Sequence, residues 1–164
     1  MHFSIIHRFP ITQEGLQNMY NELAKIKEEK PHIIQSISDS RDQGDLSENA
    51  EYHAAREKLG FIEGRIIELE HKIAHAEVIE INNLSGDIIM FGATVTLRIL
   101  NDDTKIIEYI YKIVGEYEVD IANNLISIHS PIGSALIGKR VGDDVEVTVP
   151  SGEKLYKVIK VEFK

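Results

Sequence analysis

Between Glu48 and Glu77, apolar or bulky side chains recur at Tyr52, Ala55, Leu59, Ile62, Ile66, Leu69, Ile73 and Ala76. The intervals alternate between three and four residues, which keeps all eight on one stripe of an α-helix. This is the a/d seam of a coiled coil, and charges such as Glu57, Lys58, Glu63, Arg65, Glu68 and Lys72 fill the outer positions. A helix over this stretch runs roughly 43 Å at about 1.5 Å per residue. Its seam needs a second helix to cover it.

The partner precedes it. Leu16, Met19, Leu23, Ile26, Ile33 and Ile37 share one phase, interrupted at Lys30 beside Pro31. Proline removes a helical hydrogen bond and clashes with the preceding turn, so a kink or short break is expected near Lys30–Pro31. Thr12 suits an N-cap, with Glu14 in the favourable first turn. Between the two seams lies Arg41-Asp42-Gln43-Gly44-Asp45-Leu46-Ser47. Gly44 can take the left-handed conformation that ends a helix, and Ser47 can cap the next one. So short a connection turns the second helix back on the first. Residues 1–80 are therefore expected to form an antiparallel coiled-coil finger with its tip at about 41–48.

Past residue 80 the period changes. Asn82-Asn83-Leu84-Ser85-Gly86 reads as a turn or linker. β-rich runs follow at 88–91, 93–100, 106–114, 125–129, 145–149 and 155–163, with turn signals at Asn101-Asp102-Asp103 and Pro150-Ser151-Gly152. Val145, Val147 and Val149 alternate with Glu146 and Thr148, as a half-buried strand requires. Ser130-Pro131 can open a short helix, serine capping and proline at its first position. Residues 81–164 are thus expected to be a small, mostly antiparallel sheet with at most one helix. The fold class is α+β.

Charge limits what such a chain can touch. There are nine basic and fourteen acidic side chains in residues 1–79, and nine and thirteen in 80–164. With a net charge of -9, free duplex nucleic acid is a poor partner, because neutralising phosphates needs clustered Lys and Arg. A basic protein channel or a cation suits it better. There is no Cys, which excludes disulfides, thiolate zinc sites and thiol nucleophiles. The opening residues hold no apolar run of signal-peptide length, and no stretch approaches a membrane span, so a soluble cytoplasmic protein is expected.

The expected tip collects Asp42, Asp45, Glu48 and Glu51. Asp45 and Glu48 are three apart across a helix start, so their carboxylates can lie on one side. Paired hard oxygens suit Mg²⁺, but two of them leave a weak, open site that needs ligands from elsewhere. On spacing alone the plainer account weighs more, since acidic residues favour helix N-termini in any case. Arg41 and Arg56 flank the tip and could hold phosphates. Spacing alone favours the plainer account, intra-hairpin ion pairs with Asp42, Glu48 or Glu57. His71 and His75 are four apart, a metal-capable spacing, but lack the glutamate of an HExxH site and are taken as surface residues. His2, His7, His32, His53 and His129 are scattered. No nucleophile elbow, Walker loop or dinucleotide fingerprint is present.

The run from Arg41 to Glu57, RDQGDLSENAEYHAARE, resembles the signature of bacterial Gre transcript-cleavage factors, the GreA branch in particular. The resemblance continues through Glu63-Gly64-Arg65-Ile66, Phe91-Gly92-Ala93-Thr94-Val95 and Tyr111-Lys112-Ile113-Val114-Gly115. It goes on through Ile126-Ser127, Ser130-Pro131, Ala135-Leu136-Ile137-Gly138-Lys139 and Val158-Ile159-Lys160-Val161-Glu162. It implies a coiled-coil finger followed by a domain like that of FK506-binding proteins. It also implies a function. The globular domain docks on bacterial RNA polymerase, and the finger enters the secondary channel. Asp45 and Glu48 then help hold a second Mg²⁺ as the polymerase cleaves its own backtracked transcript, a two-metal displacement. Arg41 and Arg56 match positions facing the nascent RNA 3′ end. The factor is then no enzyme itself, works as a monomer, and holds no cofactor when isolated.

Two departures stand out. Gly133-Ser134 follow the Ser-Pro-Ile motif where the family often has a basic residue, and Ser47 stands where some members carry Lys. Three rival functions are separable. An inhibitory Gre-like homologue carries extra acid at the tip, unlike Gly44-Asp45-Leu46-Ser47-Glu48-Asn49 here. A prolyl isomerase needs an aromatic pocket that this Trp-free chain is poorly equipped to build. A bare scaffold would not bind polymerase at all.

Overall fold

The computed structural model describes residues 7–42 and 50–164. Gly44, Asp45, Ser47 and Glu48, with the expected cap and tip, lie outside the described residues. The described chain divides into two compact units, one built from residues 16–76 and the other from residues 7–15 and 77–164.

The first unit is a helical hairpin of α1 (Gln13–Asp42) and α2 (Ala50–His75). In α2 the seam is real: Ile62 and Leu69 are buried, and Tyr52, Ala55, Leu59, Ile66 and Ile73 are half-buried. In α1 the seam is longer than expected. Met19, Ile33 and Ser40 are buried and Leu16, Leu23, Ile26, Lys30 and Ile37 half-buried, an unbroken alternation of three and four. No break occurs at Lys30–Pro31. Pro31 lies within the helix on its exposed side, as does Lys27, whose carbonyl loses its usual partner to the proline and can turn to solvent. Lys30 keeps the seam position, its ammonium reaching Glu63 at 3.4 Å. The helix also runs on through Arg41 and Asp42, so these are not loop residues. Ser40 fills a seam position, and its hydroxyl donates to the carbonyl of Ser36 at 2.8 Å.

Ion pairs show the direction of the helices. Arg65 forks onto Glu22, Nε to Oε1 at 2.7 Å and Nη2 to Oε2 at 3.0 Å. One heptad forward on α1 and one heptad back on α2, Glu29 meets Lys58 at 2.6 Å. Lys27–Glu70 at 2.8 Å and Lys30–Glu63 at 3.4 Å run in the same opposed sense. Exposed pairs of this kind contribute about 0.2–1 kcal/mol each. A fully buried Leu or Ile contributes roughly 1.5–3 kcal/mol, so the seam holds the hairpin and the ion pairs choose its register.

The second unit begins with β1 (Phe9–Ile11), which pairs with β2 (Ala76–Val78); the helical pattern extended to Ala76, but α2 stops at His75. A sheet follows: β3 (Ala93–Ile99), β4 (Glu108–Val114), β5 (Leu125–Ser127), β6 (Asp144–Val149) and β7 (Gly152–Phe163), in the order β5-β4-β3-β7-β6. Every neighbouring pair is antiparallel except β4 and β5. Helix α3 (Pro131–Leu136) forms as expected, with the Ser130 hydroxyl accepting from the Gly133 amide at 3.0 Å. Its Leu136 joins Val95, Leu97, Ile113, Ile126, Val145, Val147, Tyr156 and Val158 in one core. Residues 88–91 are not a strand. Ile89 is buried, but its amide and carbonyl bond to Lys139 and Gly138 after α3, at 2.8 Å each, instead of to a sheet neighbour.

Residues 7–15 belong with this second unit, although the sequence assigns them to the finger. Glu118 is the reason. One carboxylate accepts from the Thr12 amide at 3.1 Å, the Thr12 hydroxyl and the Gly115 amide at 2.9 Å. Thr12 in turn caps α1, its hydroxyl accepting from the Gly15 amide at 3.0 Å. A Cβ on Gly15 would run into the Glu118 carboxylate, and one on Gly115 into the carbonyl of Pro10. Phe9 and Tyr117 close the same corner edge to face, 4.9 Å between centroids.

Two outcomes follow. Glu118→Ala leaves three donors without their acceptor, and at about 1.5–3 kcal/mol for a hydrogen bond to a charged group it should lower stability measurably in urea titration. An unchanged midpoint would remove the clasp's role. The hairpin should also loosen in acid. Lys58 holds the Glu29 carboxyl below its ordinary value of 4.5, and Lys72, then Arg65, do the same for Glu68. Their stabilisation is present above 4.5, where the unfolded carboxylates are also ionised, and is lost as pH falls through the lower folded values. The thermal midpoint of the helical signal should therefore drop below that pH; a rise on acidification would contradict it.

Candidate functional site

The expected site falls where α1 gives way to α2. Helix α1 ends at Asp42 and α2 starts at Ala50, so the stretch holding Asp45 and Glu48 comes between two helix ends. Its described flanks are polar and open. Arg41 is in the last turn of α1, Glu51 in the first turn of α2, and Arg41, Asp42, Glu51 and Arg56 are all exposed. The heptad explains this exposure, because none of the four occupies a seam position.

Among the described residues Arg41 and Arg56 form no ion pair with Asp42 or Glu57; a pair with Glu48 lies outside the described residues. Arg56 instead lies over the Tyr52 ring, its guanidinium carbon 5.7 Å from the centroid. Tyr52 is a half-buried seam residue, so a fixed ring sits under a mobile cation and limits its rotamers. His53 stands edge-on to the same ring at 5.5 Å. The Tyr-to-Arg spacing of four was visible in the sequence, but Tyr52 was assigned to the seam alone.

Among the described residues no group of three or more His, Asp or Glu side chains could hold a metal ion. His71 and His75, both in the later part of α2, stack with centroids 4.2 Å apart. No helix among the described residues is long and apolar enough to cross a membrane.

These features define a class: α+β proteins in which an acidic connection between two long antiparallel helices precedes a small curled sheet. Comparison with known proteins makes the assignment specific. A family model described as transcription elongation factor, N-terminal, matches residues 9–78. A second, described as transcription elongation factor, GreA/GreB, C-term, matches residues 84–163. The chain is 57% identical over 158 residues to transcription elongation factor GreA of Rickettsia felis, covering 96% of each chain. It is 51% identical to that of Rhodospirillum rubrum, covering 96% of this chain and 99% of the other. Among solved structures it is similar to GreA factor homolog 1 of Thermus thermophilus, at 25% identity and TM-score 0.43, covering 95% of this chain and 99% of that one. The chain belongs to the GreA/GreB family of transcription elongation factors, with the GreA members.

Arg41 and Arg56 take no part in seam packing. Arg41→Ala and Arg56→Ala should therefore shift the thermal midpoint by less than about 2 °C, the range for surface substitutions. Calorimetry checks this, and a larger drop in either protein would return that arginine to a structural role.

Proposed function

We propose that the chain binds bacterial RNA polymerase through the sheet-bearing unit, inserts its hairpin into the secondary channel, and stimulates the polymerase's own cleavage of backtracked nascent RNA. The supporting observation is the hairpin itself. Its helices span about 45 Å and 39 Å at 1.5 Å per residue, and the acidic connection comes where one ends and the other begins. Rods of that length can carry side chains to a site that a globular domain cannot reach. In this reading the chain is no enzyme; it lends groups to one.

Asp45 and Glu48 are the groups lent. As a donor set they fit Mg²⁺, which takes hard oxygens and commonly uses one or two carboxylates alongside waters and phosphates. Two carboxylates cannot complete an octahedron, so the ion is held jointly with the polymerase and the isolated chain has no resident metal. When bound, it supplies Lewis-acid stabilisation and an activated water. The chain's own part is positional. Asp45 and Glu48 lend carboxylate oxygens from positions three apart in the sequence. Arg41 and Arg56 offer planar N–H forks to phosphates of the RNA 3′ segment, Arg56 steadied by Tyr52. The chain acts as a monomer in the cytoplasm.

Cleavage rates on stalled, backtracked complexes at saturating factor test this. Asp45→Ala and Glu48→Ala should each lower stimulated cleavage by roughly 100-fold, the scale on which one preorganised electrostatic group acts, while still binding polymerase. Asp45→Glu should also be impaired, because Mg²⁺ demands near-ideal octahedral geometry and an added methylene displaces the oxygen. Wild-type rates in both alanine proteins would remove the proposal.

A further inference from the structure

The imidazole pair of α2 has no place in the proposed cleavage role. His71 and His75 lie one turn apart, and their rings stand nearly parallel, 25° between planes and 4.2 Å between centroids. His75 Nδ1 is 2.8 Å from the His71 carbonyl oxygen. A carbonyl can only accept, so Nδ1 carries the proton and donates. In the neutral imidazole this leaves Nε2 of His75 as the bare nitrogen. A ring nitrogen that donates to a backbone carbonyl while the other stays bare is the arrangement found in metal-ligating histidines. Among the described residues the His71 ring makes no hydrogen bond.

We propose that His71 and His75 form a two-imidazole site for one borderline divalent transition ion, of the Zn²⁺, Ni²⁺ or Cu²⁺ class. At metal–nitrogen distances of about 2.0–2.1 Å, two nitrogens on one ion stand about 3 Å apart. Stacked rings 4.2 Å apart send their in-plane lone pairs alongside each other, so binding turns the His71 ring toward Nε2 of His75, which keeps its bond to the backbone. Imidazole suits these ions and does not suit Mg²⁺, so the site is chemically distinct from the carboxylates of the connection. Its place helps too. His75 is in the last turn of α2, where the helix dipole favours a cation. The nearest cation on the helix, Lys72, is neutralised by Glu68 at 2.7 Å. Two ligands leave the remaining positions to water, so the site is open and exchangeable.

Titration of the full-length protein with Ni²⁺ at pH 7.5 in a non-coordinating buffer tests it. One ion should bind per chain, and excess Mg²⁺ should not compete. His71→Ala and His75→Ala should each weaken binding by at least the roughly 10–100-fold that loss of an outer-shell partner costs. His129→Ala, on the other unit, should bind as wild type. Circular dichroism establishes that the variants fold, and paramagnetic broadening on the wild-type protein gives an independent reading centred on residues 68–75. Undiminished binding in both α2 variants, or broadening centred elsewhere, overturns the proposal.

Discussion

Burial of one apolar stripe against another is the constraint on which the hairpin rests. Helices in proteins gain most of their stability from packing an amphipathic face rather than from propensity. The seam also decides which residues are available for anything else. Positions in the three-four alternation are committed to packing, and those outside it are open to solvent and to partners. Arg41, Asp42, Glu51 and Arg56 fall outside it. The ion pairs act on a finer scale. Arg65, held charged by the Glu22 carboxylate, links both helices and also reaches Glu68 at 3.0 Å, which ties an inter-helix contact to an intra-helix one.

The start of α1 shows a second kind of constraint, in which one side chain does the work of several caps. A helix N-terminus leaves four amides without intrahelical partners. Thr12 satisfies the Gly15 amide, and Glu118 satisfies Thr12 and Gly115 together. The two glycines are there because the carboxylate and the Pro10 carbonyl occupy the space a side chain would need. A residue more than a hundred positions away in sequence thus determines where the first helix begins.

What could be read from the sequence followed the range of the forces involved. The seams, the Thr12 and Ser130 caps and most strands are periodic or local, and their patterns are written in neighbouring residues. Glu118 is neither. Nothing in Glu116-Tyr117-Glu118 marks one acid as a long-range cap and the other as solvated, so β1 and the assignment of residues 7–15 were missed. Residues 88–91 look like a strand because Ile89 is buried, but their backbone partners are the residues after α3. Burial and strand pairing are separate conditions, and composition reports only the first. Pro31 misled for a related reason. The cost of a proline depends on whether its face is packed, and the seam on the opposite side continued through it. At the candidate site, the resemblance of the Arg41–Glu57 run singles out residues that periodicity leaves undistinguished, and Asp45 and Glu48 lie outside the described residues.

The same reasoning separates the two places where we propose that this chain meets a metal. Carboxylates between helix ends are hard, charged and few, and such a pair gains affinity only when another molecule completes the shell. In the proposed role that dependence is useful: the ion would be assembled where the partner is, and the free protein would not sequester it. Imidazoles on adjacent turns differ in each respect. Imidazole nitrogens are borderline in softness, and both rings are carried by one helix, so no second molecule is needed to bring them together. A chain of net charge -9 attracts cations over its whole surface, but attraction without geometry does not discriminate between ions. Discrimination comes from donor type and from the element beneath, a connection between helices in one case and a single helical turn in the other.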